Sequence, residues 1–141
     1  MIFAVGAIVF IALNAALITA IVLKLYSVRR GVVKGLGGTS KIALLDAVAN
    51  LRAVESKGVV QIAGNGCLAM NAEEILFVMW WPRREVRISR KNIVAVTTPA
   101  TFMGKRSGRP MLHIRWKAAD GATDSAAWLV RNRDAWVRAL S

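Results

Sequence analysis

The chain holds one histidine and one cysteine, the side chains that most often carry proton transfer or nucleophilic attack near neutral pH. Cys67 lies in the apolar run Gly66-Cys67-Leu68-Ala69-Met70, where a thiol packs as a small hydrophobe, and His113 alternates with Leu112 and Ile114 as a strand residue does. A cysteine nucleophile needs a base beside it and a metal needs a third ligand, and neither is in view. Glu73-Glu74 reads as a turn cap, and no two acids share a helical spacing that would form a site. The expectation is a protein that is not an enzyme, with no catalytic residue, no metal and no cofactor. A single cysteine forms no internal disulfide, which fits a reducing compartment.

The chemistry the sequence does carry is positive charge. Its 20 Lys and Arg against 8 Asp and Glu give a net charge of +12, which suits anionic surfaces. Nucleic acid is not expected, because helix-turn-helix spacing, a Cys/His zinc pattern and the aromatic pattern of an RNA-binding sheet are all missing. The densest basic run is Arg83, Arg84, Arg87, Arg90 and Lys91, relieved only by Glu85. As a strand it puts Glu85, Arg87 and Ser89 on one face, either simply solvated or in contact with lipid phosphates or an acidic partner. The loop Ala100–Pro110 sets Phe102 and Met103 beside Lys105, Arg106 and Arg109. An apolar tip among basic residues can enter a headgroup layer or a partner's groove, and it can equally be a plain hairpin connection with Phe102 buried. Of the adjacent Trp80 and Trp81, only one can face inward, which leaves the other as a candidate interface anchor.

These groups need an anchor to position them. Residues 1–23 (MIFAVGAIVFIALNAALITAIVL) contain no charge and end against Lys24. At about 1.5 Å per residue they are long enough to cross a hydrocarbon core of about 30 Å. A cleaved signal peptide would start with a basic region and carry a shorter apolar part, so a retained transmembrane helix is expected. Lys24, Arg29, Arg30, Lys34 and Lys41 all precede the first acid, Asp46. Positive residues stay inside, so the expected arrangement is a cell-membrane protein (inner or plasma membrane) with its N-terminus outside and its folded part cytoplasmic. Within the helix, Ala12, Ala15, Ala16, Thr19 and Ala20 share one face and Asn14 points nearly opposite. Small residues allow close helix approach, and an amide in hydrocarbon seeks a partner.

Beyond the anchor, residues 24–40 read as a flexible basic linker punctuated by Gly31, Gly35, Gly37 and Gly38. Ser40 is placed to cap a helix over Lys41–Val54, making 41–57 an amphipathic helix or connector whose second half could alternatively join the first strand. From Gly58 the period changes to two. Strands are predicted at Val59–Ala63, Gly66–Met70, Ile75–Trp81, Glu85–Ser89, Ile93–Thr98, Met111–Lys117 and Asp124–Val130, separated by turn residues. Helical spacing returns over Arg131–Ser141, with Asn132 as cap and Trp136 placed to plug the core.

Seven strands followed by one terminal helix resembles the pleckstrin-homology superfold, in particular its GRAM-like and bacterial PH-like members. The residues that carry the likeness are Gly66-Cys67-Leu68-Ala69-Met70-Asn71-Ala72-Glu73-Glu74-Ile75-Leu76-Phe77, then Val86-x-Ile88-Ser89-x-x-Asn92-Ile93-x-x-Val96, then Ala127-Trp128-x-Val130-x-x-Arg133-Asp134-x-Trp136-x-x-Ala139-Leu140. The resemblance implies an α+β fold over 58–141, a bent seven-stranded sheet or partly open barrel with a C-terminal capping helix. It implies little about function. Phosphoinositide-binding members carry a basic cluster between their first two strands, whereas the corresponding loop, read here as Gly64-Asn65-Gly66, has no Lys or Arg. The functional expectation is an accessory or scaffold subunit of a larger membrane complex, held through helix and domain by an integral-membrane partner, with a second copy of the chain as another occupant of the alanine face. The alternative is a membrane-surface sensor of anionic lipid headgroups. Ala12, Asn14, Ala16 and Ala20 are the helix-packing candidates. Lys24, Arg29, Arg30, Lys34, Arg83, Arg84, Arg87, Phe102, Met103, Lys105 and Arg106 are the candidates for contact with membrane lipids or a partner.

Overall fold

The computed structural model describes residues 1–141. Helix α1, Ile2–Gly35, is one unbroken rod of 34 residues. Its N-terminal part is fully exposed and is long and apolar enough to cross a membrane. The helix does not stop where the apolar run stops. Residues 24–35, expected to be a flexible linker, continue it because Val28, Val32 and Leu36, spaced four apart, form a stripe that is buried on the sheet. Gly31 and Gly35 lie inside the helix, and Gly35 brings it so close to the sheet that an added Cβ would sit 3.1 Å from Leu76. The rod ends at Gly37, whose φ of 96° is open to glycine at little cost.

The chain then forms β1 (Leu44–Val54), β2 (Gly64–Met70), β3 (Glu74–Met79), β4 (Glu85–Ser89), β5 (Ile93–Thr97), the short pair β6 (Thr101–Phe102) and β7 (Lys105–Arg106), β8 (Leu112–Lys117), β9 (Thr123–Leu129) and finally helix α2 (Arg133–Leu140). Seven strands make one sheet in the order β4-β3-β2-β1-β9-β8-β5, and every pairing is antiparallel. The architecture is thus α+β: a long apolar helix, an antiparallel sheet and a closing helix. Six of the seven predicted strands recur within a few residues as β2–β5, β8 and β9.

The seventh does not. Val59–Ala63 is a loop, and its place is taken by β1, which falls where a helix over Lys41–Val54 was expected. The physical reason is the pairing. As the central strand, β1 bonds β2 on one side and β9 on the other, and such long-range contacts override the helical preference of Ala and Leu. Irregularities between Asp46 and Ala49 and between Leu51 and Ala53 also break its alternation, so that Ala49, Leu51 and Val54 face the core at spacings of two and three. That broken rhythm hides the period of two that marks a strand.

The main core is filled by Phe77, Trp128 and Trp136, with Leu51, Leu68, Met70, Ile114 and their neighbours. Phe77 meets Trp128 edge-on at 5.9 Å between ring centres. Trp136 arrives from α2, which Asn132 caps through the Ala135 amide, and it plugs the core as its spacing suggested. A second apolar layer lies on the outer face of the sheet: Cys67, Ala69, Leu76 and Val78 against Val28, Val32 and Leu36, with Ile42, Leu45 and Trp80 at its margin. Strands β2 and β3 are therefore buried on both faces, which is why they read as continuous apolar runs.

Two polar ties close the structure. Asp46, 3 % exposed, accepts hydrogen bonds from the Val48 amide (3.0 Å), the Arg131 amide (2.7 Å) and Arg131 Nε (3.1 Å), fixing the irregular start of β1 to the end of β9. Asn71 Nδ2 donates to the Leu36 carbonyl at 3.0 Å while its Oδ1 accepts from the amides of Glu73 and Glu74. One side chain thus serves both the end of α1 and the turn between β2 and β3. Removing the Asp46 carboxylate orphans two amides, so Asp46→Ala is expected to cost about 2–3 kcal/mol. Gly66→Ala is expected to cost about 3 kcal/mol or more, since its Cβ would drive into the Val78 carbonyl and stand 2.7 Å from the Phe77 ring and 2.8 Å from Met79 Cα. Denaturant titration of the full chain in detergent measures both.

Candidate functional site

The two residues with catalytic potential lie in different layers. Cys67 is sealed beneath α1, and burial pushes its thiol up to about 11, partly offset by Arg29. A thiol held so high is a poor nucleophile at neutral pH. His113 lies on β8, paired with Ala127 and facing Thr97 across the sheet, where Thr97 Oγ1 meets its Nδ1 at 2.9 Å. The Phe102 ring packs on the imidazole at 4.8 Å. A depression of about 290 Å³ opens between Glu55, Phe102, His113 and Arg115.

The basic candidates separate into three groups. Arg87 is engaged along the sheet face, bonded to Glu74 at 2.7 Å and paired with Glu85 at 3.5 Å. The Glu74 hydrogen bond raises its pKa further. Lys24, Arg29, Arg30 and Lys34 project from the rigid continuation of α1, and Arg29 and Arg30 line a depression of about 250 Å³ with Tyr26, Val33 and Thr39. Arg83, Arg84, Phe102, Met103, Lys105 and Arg106 form the third group, at one end of the sheet.

That end takes its shape from the loop between β1 and β2, residues 55–63. The Gln61 side chain works as an internal clamp, accepting from the Val54 amide at 2.8 Å and donating to the Val54 carbonyl at 2.9 Å and to the Gly58 carbonyl. By occupying Val54's backbone groups, Gln61 prevents 59–63 from pairing as a strand. Arg84 donates to the Ile62 carbonyl at 3.0 Å, tying in the turn between β3 and β4. Lys105 Nζ reaches the carbonyls of Arg52 at 3.3 Å and Gln61 at 3.5 Å, tying in the β6–β7 hairpin. Met103 and Gly104 turn that hairpin with φ of 51° and 75°, the geometry of a tight two-residue hairpin turn. Three connections that are distant in sequence thus meet around 55–63. The loop between the first two strands is this one and not Gly64-Asn65-Gly66, all three residues of which belong to β2. It carries a single basic residue, Lys57.

Val59, Val60, Ile62 and Trp81 are exposed at this end, the last because its neighbour Trp80 turns under α1. The three aliphatic residues fall in the stretch expected to be a strand, and nothing in their local pattern marks them as a loop. Trp81 is the surplus tryptophan of the pair.

The span candidates Ala12, Ala16 and Ala20 lie exposed along α1. Asn14 Nδ2 donates to the Phe10 carbonyl at 2.8 Å and Thr19 Oγ1 to the Ala15 carbonyl at 2.8 Å, so each polar side chain is partly satisfied by its own helix.

No protein-family model matches the chain, and no curated protein matches it. Among solved structures, a chain in "The 8S snRNP Assembly Intermediate" is similar in fold, with a TM-score of 0.55 and 10 % identity over 72 % of this chain and 80 % of that one. At that identity the likeness concerns the fold alone.

Burial, reinforced by the charge of Arg115, lowers the pKa of His113 below its ordinary 6.5. The folded state then binds fewer protons than the unfolded one, so stability is full above about pH 6.5 and declines as pH falls through that value. His113→Gln is expected to flatten this decline, measurable as the change in unfolding midpoint between pH 7.5 and 5.5.

Proposed function

We propose that the chain is a non-enzymatic, single-pass protein of the cell membrane that presents a PH-like domain at the cytoplasmic surface as an accessory or scaffold element of a larger membrane assembly. The observation that carries this reading is the burial of Val28, Val32 and Leu36 on the sheet, which makes α1 and the domain one body. A helix intended only to tether a mobile domain has no need of such a joint. A scaffold that must hold two surfaces in fixed relation does.

The PH-like assignment is supported by the strand order. With the β6–β7 hairpin set aside, the first four strands run β4-β3-β2-β1 and the last three continue as β9-β8-β5, closed by α2. The cytoplasmic assignment is supported by the basic residues that follow the apolar segment. The scaffold role is supported by the two uncovered faces of α1, one of small residues and one bearing Asn14. The non-enzymatic assignment is supported by the sealing of the only cysteine under α1.

Extraction of the full chain in mild detergent, followed by native mass measurement, tests the reading. The expected result is a heteromeric mass containing a defined integral-membrane protein, lost when Ala12, Ala16 and Ala20 are all replaced by Leu. A clean monomer, or a homo-oligomer with no second protein, contradicts it.

A further inference from the structure

The uncovered apolar end of the sheet lies on the same side as the apolar segment of α1. The Leu36 carbonyl is bonded to Asn71 just past the end of β2, Gly35 lies against Leu76, and Val28 and Val32 pack in the same layer as Cys67 and Val78, so the helix runs alongside β2 in the same direction. Traced backward, it leaves the domain at the Gly64 end of β2. That end carries the 55–63 loop and, one strand away, the turn after β3. Val28 lies five positions after Leu23, about 7.5 Å of helical rise, so these loops begin close to the boundary of the apolar segment.

Their composition suits that boundary. Val60 is 93 % exposed, Trp81 81 %, Val59 67 % and Ile62 61 %. They are the large apolar side chains most exposed outside α1. Lys57 and Arg83 stand exposed beside them. The loop that carries the three aliphatics is nonetheless ordered from within, by Gln61, Arg84 and Lys105. The carbonyls of Gly58, Gln61 and Ile62 are turned inward to side-chain donors, and the aliphatics are turned outward. Such a surface is costly in water and favourable in the headgroup–acyl boundary, where tryptophan also concentrates.

We propose that Val59, Val60, Ile62 and Trp81, framed by Lys57 and Arg83, insert into the interface of an anionic lipid leaflet beside the exit of α1. The domain then contacts the bilayer at two points, and its rotation about the helix axis is fixed as well as its height. The occupant is lipid because the patch lies at the end of the sheet from which the apolar segment of α1 departs, and because Lys57 and Arg83 flank the apolar residues in sequence as cations flank acyl chains at the phosphate level. This proposal rests on the membrane-spanning reading of α1 and is independent of the scaffold role.

The test uses the full chain with Cys67→Ala, reconstituted into pure lipid vesicles of phosphatidylcholine with and without phosphatidylglycerol. A polarity-sensitive fluorophore is attached at Val60→Cys or, for comparison, at Ala72→Cys in the turn at the opposite end of the sheet. The expected result is blue-shifted emission at position 60 and several-fold less quenching by aqueous iodide than at position 72, with protection enhanced by phosphatidylglycerol. Arg83→Glu combined with Lys57→Glu is expected to remove that enhancement, and because both side chains are exposed the fold is preserved. Equal quenching at positions 60 and 72 in both vesicle types overturns the proposal. Protection of position 60 that occurs only in native membranes, and not in pure lipid, also overturns it and assigns the patch to a protein partner. Neither result depends on whether a scaffolded protein is ever found.

Discussion

The structure depends on one apolar joint. Val28 and Val32 of α1, with Leu36 just past its end, fill the outer face of β2 and β3, over Cys67, Ala69, Leu76 and Val78. Burying an aliphatic side chain contributes ~1.5–3 kcal/mol, so the three together contribute roughly 4.5–9 kcal/mol toward holding helix and sheet in one arrangement. Without the joint, β2 and β3 would expose a broad apolar face to water, and the glycines of residues 31–38 would form the loose tether their number suggests. With it, the end of the sheet that faces the apolar segment is determined. The Asn71 bond to Leu36 sets the axial position of the helix, and the close approach at Gly35 sets how tightly it lies on Leu76.

The second constraint is competition for the backbone of β1. A central strand needs partners on both sides, and Leu44–Val54 finds β2 and β9. Gln61 then satisfies the last residue of that strand, and the stretch that could have paired there is left over as a loop. The exposed aliphatics follow from this. They belong to the loop because the strand position is already filled, and the bonds from Arg84 and Lys105 hold the loop where the strand would have been. Val59, Val60 and Ile62 thus lie in a loop at the rim nearest α1 and not in the strand expected over 59–63.

Much of the architecture was legible in the residues themselves. The uncharged run before Lys24 marked the long apolar helix, period-two patterns marked six strands, and the spacing around Trp136 marked the closing helix and its plug. Trp80 and Trp81 could be divided into one covered and one exposed residue by alternation alone. The misreadings have physical causes. The docking stripe at 28, 32 and 36 is only three residues, and its partner surface is remote in sequence, so the glycines are the stronger local signal in that segment. The irregularities in β1 break its period of two, and local pattern carries no information about which of two apolar stretches wins the central position. Of the candidate contact residues, Arg83, Arg84, Phe102, Met103, Lys105 and Arg106 do gather at one end of the sheet. Arg87 is instead held by Glu74 and Glu85. Val59, Val60 and Ile62 were unreadable as surface residues because exposure there is a property of the fold.

The central claim is that helix and domain move as one body. It is tested most directly by the distance between spin labels at Val22→Cys, within the apolar segment, and Ala72→Cys, at the far turn of the sheet, in Cys67→Ala protein reconstituted in lipid nanodiscs. A rigid joint predicts a single narrow distance distribution that broadens when Val32 is changed to Asp. A broad or multiple distribution in the unaltered joint would contradict the account.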